Sequence, residues 1–122
     1  MSKQALIVID IQNDYFENGA FPLVNPIEAS INASKVLEYF RANNLPIAHI
    51  QHVNPSDAPF MSVGTNGVEI HENVKPLKDE KVFQKSYPNS FRETDLLDYL
   101  KENDVTEVVI TGMMTHMCVD AT

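Results

Sequence analysis

"ALIVID", residues 5–10, is the stretch on which the reading of this chain turns. Five aliphatic residues in a row are too few for a helix, and they show no alternation. A strand that is apolar on both faces must be covered on both, the condition of a parallel sheet held between two layers of helix. The run then stops on a carboxylate, Asp10. In an open parallel sheet, ligands bind outside the carboxyl ends of the strands. The first polar residue after such a strand is therefore a candidate for chemistry.

The same grammar repeats further along. "VNPIEAS" (24–30) offers Asn25 as an N-cap, Pro26 at the first helical position and Glu28 for a capping-box contact. Ile27, Ile31, Leu37 and Phe40 predict one buried side of a helix reaching about Ala42. "NNLPIAHIQHV" (43–53) ends that helix and opens a second strand, from about Pro46 to Val53. Residues 54–80 show no period and hold four prolines or glycines before Val68. A connection of that length predicts a lid or binding loop. "KVFQK" (81–85) reads as a third strand. Thr94 is the expected cap of a helix carrying Leu96, Leu97 and Leu100 and ending near Asn103. "EVVIT" (107–111) is a fourth strand, and Thr115 is the expected N-cap of a last helix with Cys118 in its first turn. This alternation predicts one α/β domain over residues 1–122, with a largely parallel sheet.

Composition narrows the function classes. Nine Lys+Arg against seventeen Asp+Glu leave a net charge of −8, and the basic residues form no cluster, which excludes a nucleic-acid footprint. No stretch has the length of a membrane span, and "MSKQALIVID" is too short and too soon acidic for a signal peptide. The single cysteine makes no internal disulfide. The expectation is a cytoplasmic protein with a small-molecule substrate and no membrane partner.

Three ionisable groups fall at the expected carboxyl edge: Asp10 after "ALIVI", Lys85 at the end of "KVFQK", and Cys118 in the turn after "EVVIT". Singly, each has a plainer explanation: a turn cap, a solvated lysine, a small buried hydrophobe. Together they permit nucleophilic acyl transfer. An ammonium and the first-turn N–H groups of a helix lower a thiol pKa. A carboxylate within reach can take the thiol proton and hand it to a leaving amine. Backbone N–H groups in the turn can hold a developing oxyanion.

The chain resembles the isochorismatase-like cysteine hydrolases, which include nicotinamidases, N-carbamoylsarcosine amidase and isochorismatase itself. The matching stretches are "ALIVIDIQNDYF" (5–16), "FQKSYPNSFRETDLLDYLKENDV" (83–105) and "EVVITGMMTHMCVDAT" (107–122). The resemblance implies a three-layer α/β/α Rossmann-like fold, the triad Asp10, Lys85 and Cys118, and no cofactor. It also implies a non-proline cis peptide between Met113 and Met114, with the N–H groups of Met114 and Cys118 as the oxyanion hole. Phe16, Tyr87, Phe91, Met114 and His116 are the expected substrate-binding residues. Metal-binding nicotinamidases carry an Asp-x-His pair after the second strand; here His52 and Asn54 stand at those places. His49 and His52 are three apart on a strand and face opposite ways, so no metal is expected.

The activity this implies is hydrolysis of a small amide, carbamoyl or ureido compound through a Cys118 thioester. The alternatives are a vinyl-ether hydrolase using Asp10 as general acid, and a non-catalytic binding or assembly module. The family also implies an assembly of identical copies. Its sheet order, 3-2-1-4-5-6, makes "EVVIT" an unguarded edge at residue 107–111. The expectation is that residues 1–122 are the amino-terminal part of a longer fold, with the carboxyl-terminal strands and helices missing or held on a separate chain.

Overall fold

The computed structural model describes residues 3–16, 19, 26–59, 61–78, 80–86 and 94–113. Four strands, β1 (Gln4–Ile9), β2 (Ile47–His52), β3 (Lys81–Lys85) and β4 (Glu107–Gly112), form one sheet in the order β3-β2-β1-β4. Every pairing is parallel. Helix α1 (Pro26–Ala42) follows β1, and α2 (Leu96–Glu102) lies between β3 and β4.

β1 runs through the middle of the sheet, and Ala5, Leu6, Ile7, Val8 and Ile9 are all buried. Its two faces serve two cores. Leu6 and Val8 pack with Ala33, Leu37 and Phe40 of α1, and Ile47 and Met61 join them. Ala5, Ile7 and Ile9 pack with Ala48, Ile50, Leu96 and Leu100, which brings in α2. Burial of each such aliphatic side chain contributes about 1.5–3 kcal/mol, so the apolar run drives the three-layer arrangement.

Two sequence expectations need correction. Ile27 and Ile31 do not share the buried stripe of α1; they are 49% and 44% exposed. The face that packs inward is Ser30, Ala33, Leu37 and Phe40. Small residues at 30 and 33 let neighbouring backbone come close, and Ser30 Oγ accepts a hydrogen bond from Asn73 Nδ2 at 2.8 Å. At α2, Asp95 occupies the N-cap position rather than Thr94. The Thr94 hydroxyl still accepts from the Leu96 N–H at 3.4 Å, one residue further out than expected. The proposed cap Asn25 lies outside the described residues.

The 54–80 segment is more ordered than its lack of period suggests. It holds two 3₁₀ turns, Asn66–Val68 and Glu72–Val74. It also touches the end of β1 through an isolated antiparallel bridge between Gln12 and Ile70. Its far end is clamped at Glu80, whose carboxylate accepts two hydrogen bonds from Arg41 of α1 at 2.6 and 2.8 Å. His49 Nε2 and the Leu77 N–H reach the same carboxylate at 2.8 and 3.0 Å. This clamp sits immediately before β3 and fixes how that strand enters the sheet. At the other side of the sheet β4 pairs, among the described residues, with β1 alone, and its Val108 is 43% exposed.

Candidate active site

β1 ends by turning sharply. Asp10 takes a left-handed backbone conformation (φ 55°), which costs an L-residue roughly 1–2 kcal/mol but which aspartate tolerates better than most. Its N–H donates to Ile50 O at 3.0 Å, and its carbonyl accepts from the Gln12 N–H at 2.9 Å. The chain thereby leaves the sheet at once, while the carboxylate stays at the strand end.

Lys85 closes β3, and its Cα partner across the ladder is His52 of β2. Lys85 Nζ donates to Asp10 Oδ2 at 3.0 Å, and both side chains are fully shielded from solvent. The two come from strands that do not touch each other; β2 lies between them. Sheet order alone has therefore joined groups 75 positions apart in sequence. A buried lysine–carboxylate pair is seldom the most stabilising filling for a core, because desolvation offsets most of the attraction. Such pairs are found where chemistry needs them.

His52 completes the cluster. Its Nδ1 lies 3.1 Å from Lys85 Nζ, and its Nε2 lies 2.9 Å from Asn54 Oδ1. An ammonium can only donate and an amide oxygen can only accept, so the ring is neutral with its proton on Nε2. Burial pushes the His52 pKa below its ordinary value and the Lys85 charge pushes it further, with Asp10 and Asn54 pulling back in part. Gln12 braces the arrangement from below. It is fully buried, accepts from the His52 N–H at 2.8 Å, and donates to His52 O and Val68 O at 2.8 and 2.6 Å.

β4 reaches the same edge. Gly112 pairs with Ile9, directly before Asp10. A Cβ on Gly112 would stand 2.1 Å from Ile9 O, at a φ of +154° that side chains rarely adopt, so only glycine fits. The Met113 N–H donates to Ile9 O at 2.9 Å. The segment that leads to Cys118 thus departs from beside Asp10. Cys118, Met114, His116, Tyr87 and Phe91 themselves lie outside the described residues.

Phe16 is described, and it does not join Asp10 and Lys85. It is 4% exposed and stacks on the His71 ring with centroids 3.8 Å apart. Both line a cavity of about 910 Å³ together with Asp14, Gln51 and Ile70, on the α1 side of the sheet. His49 and His52 take opposite faces, as their spacing requires. His49 meets Glu80 under α1, whereas His52 meets Lys85. Among the described residues no group of three or more His, Cys, Asp or Glu could hold a metal ion. Sequence reasoning reaches His52 and Asn54 only as replacements for metal ligands and misses the bond of His52 to the lysine and of Asn54 to His52. The available signal was position: His52 ends its strand at the same edge as Asp10 and Lys85.

A parallel, doubly wound sheet with a buried lysine–aspartate pair at its carboxyl edge defines an α/β domain of the kind that carries enzymatic sites. The chain belongs to the isochorismatase family: the isochorismatase domain matches residues 4–122. The isochorismatase family protein YddQ of Bacillus subtilis is 53% identical over 119 residues, covering 97% of this chain and 66% of the relative. The secreted isochorismatase effector Isc1 of Verticillium dahliae is 40% identical over 118 residues, covering 96% of this chain and 61% of that protein. A crystal structure of an isochorismatase-type protein from Oleispira antarctica superposes with a TM-score of 0.95 at 40% identity, covering 99% of this chain and 66% of that one. The chain thus spans between 61% and 66% of the length of these three relatives.

Proposed function

We propose that this chain carries the triad of a hydrolase that cleaves a small amide, carbamoyl or ureido C–N bond through a thioester on Cys118. The observation that carries the reading is the solvent-shielded Lys85–Asp10 pair at 3.0 Å, set beside the exit of β4 toward the only cysteine in the chain. Asp10 takes the thiol proton, and the Cys118 sulfur attacks the substrate carbonyl. Asp10 then returns that proton to the nitrogen as the C–N bond breaks, and the amine leaves. Water, deprotonated by Asp10, attacks the thioester carbonyl; the C–S bond breaks, Asp10 returns the proton to the Cys118 sulfur, and the carboxylic or carbamic acid is released. Lys85 holds the carboxylate in place and favours the thiolate throughout. More distant relatives bear names consistent with this chemistry. They include the nicotinamidase/pyrazinamidase of Mycobacterium tuberculosis, 25% identical, and N-carbamoylsarcosine amidase from Thermoplasma acidophilum, 27% identical with a TM-score of 0.91.

Intact-mass analysis after incubation with a library of primary amides, carbamoyl and ureido compounds tests the reading. The expected result is a mass increase that maps to Cys118 and is absent from Cys118→Ala, together with loss of amine release in that variant. Turnover that survives Cys118→Ala points instead to protonation chemistry at Asp10 alone. A library that yields neither adduct nor product leaves only a binding role. Either result sinks the thioester mechanism.

A further inference from the structure

A buried ammonium has three hydrogens to place, and each one left without an acceptor is costly. Asp10 takes one, at 3.0 Å, and His52 Nδ1 takes another, at 3.1 Å. We propose that His52 is a positioning residue, whose neutral ring, held in one tautomer by Asn54, fixes the Lys85 ammonium on Asp10 without cancelling its charge. The role rests on the thiol-hydrolase reading above, but no part of that reading requires it.

The choice of acceptor matters. A second carboxylate at position 52 would satisfy Lys85 equally well as a hydrogen-bond partner. It would also place two negative charges on one ammonium, leaving no net positive field to favour a thiolate. A neutral imidazole accepts the hydrogen and adds no charge. Tautomer control comes from outside the pair. Asn54 Oδ1 takes the Nε2 proton at 2.9 Å, and Asn54 is itself anchored by main-chain bonds, its N–H to Met61 O at 2.8 Å and its C=O from the Val63 N–H at 2.9 Å. The Gln12 side chain pins the His52 backbone on both its N–H and its C=O. The charged groups facing the ring are Lys85 from β3 and Asp10 after β1; Asn54 and Gln12 are uncharged. A proton on Nδ1 would remove the acceptor and set two cations 3.1 Å apart. The arrangement therefore works only while the ring is neutral.

The test uses the intact protein with ¹⁵N-labelled histidine. Long-range ¹H–¹⁵N spectra should show His52 as the Nε2–H tautomer, titrating below the ~6.5 of a free histidine. Lys85→Met should move that midpoint upward by roughly one pH unit, since the cation is gone and Nδ1 is released. A second arm measures alkylation of Cys118 by iodoacetamide at pH 7, read by peptide mass. His52→Leu should slow it about tenfold, as one unit in the thiol pKa would. His52→Asn, whose Oδ1 falls where Nδ1 stands, should restore the rate to within about threefold. If Lys85→Met slows alkylation and His52→Leu does not, the positioning role is refuted while the thiol-hydrolase reading stands. If Lys85→Met has no effect on the rate, the thiol-hydrolase reading fails and takes this role with it. Should His52→Leu not fold, the wild-type ring spectrum still decides: an Nδ1–H tautomer overturns the proposal.

Discussion

At the scale of single residues, this edge of the sheet is held together by positions with very little freedom. Asp10 sits at φ 55° with its carboxylate buried against Lys85. One strand away, Gly112 passes so close to Ile9 O that a methyl group would stand 2.1 Å from it. Gly112→Ala should therefore displace the Ile9–Asp10 turn or β4, at a cost of about 3 kcal/mol or more. Urea unfolding checks this, and a midpoint equal to wild type would show that the close approach is relieved elsewhere. Asp10 and Lys85 were legible in the sequence because each stands at the carboxyl end of a predicted strand, Asp10 just after β1 and Lys85 as the last residue of β3. His52 was not, because a histidine on a strand carries no mark of which nitrogen is used or by whom. Only sheet order, which sets β2 beside β3, brings Lys85 to the ring, and Asn54 two residues on takes its other nitrogen.

At the scale of elements, the strands and helices were legible because their apolar runs have the lengths and spacings that burial demands. The face of α1 was not. Ile27 and Ile31 match a helical period as well as Ser30 and Ala33 do, and the packing of residues 72–74 against α1 selected the smaller pair. The Glu80 clamp was equally hidden, since Arg41, His49 and Glu80 come from three separate segments. Its energetics give a pH prediction. Burial pushes the Glu80 carboxyl up, but Arg41, the Leu77 N–H and His49 outweigh it and hold the group at about 2, against an ordinary 4.5. A carboxyl depressed by folding contributes stability that is present above its unfolded pKa and is lost as pH falls toward the folded one. Here that contribution is on the order of 2 kcal/mol, solvent on the open side of Arg41 screening the rest. His49 is lowered by burial despite Glu80, so stability already declines as pH falls below 6.5. The urea midpoint of the wild type should thus drop in two stages on acidification. Glu80→Gln should remove the second stage, and an unchanged profile between pH 5 and pH 3 would contradict the assignment.

At the scale of the whole molecule, the α/β architecture follows from the apolar strands and their order, and the family from the resemblance carried by residues 5–16, 83–105 and 107–122. The compartment does not, since a relative at 40% identity is named a secreted effector. Among the described residues no helix is long and apolar enough to cross a membrane. The 54–80 segment is tied to the carboxyl edge of the sheet in part through Gln12, whose side chain bonds His52 and Val68, while Gln51 Nε2 donates to the same Val68 O at 2.9 Å. Gln12→Leu should leave β1 protected in hydrogen exchange but speed exchange at residues 68–71. Equal rates in both proteins would mean that the Gln12–Ile70 bridge, with the Gln51 and Asn13 side chains, holds the segment without the Gln12 side chain.

Every partner of that glutamine side chain is a main-chain group: the N–H and C=O of His52 and the C=O of Val68. Main-chain groups survive any substitution except one to proline. The attachment is thus indifferent to what the 54–80 segment displays, so long as its backbone course is kept. A fold mounted in this way separates two kinds of change during divergence. Side chains around Val68 can change without loosening this bond, while the Asp10 carboxylate and the Lys85 ammonium keep their pairing.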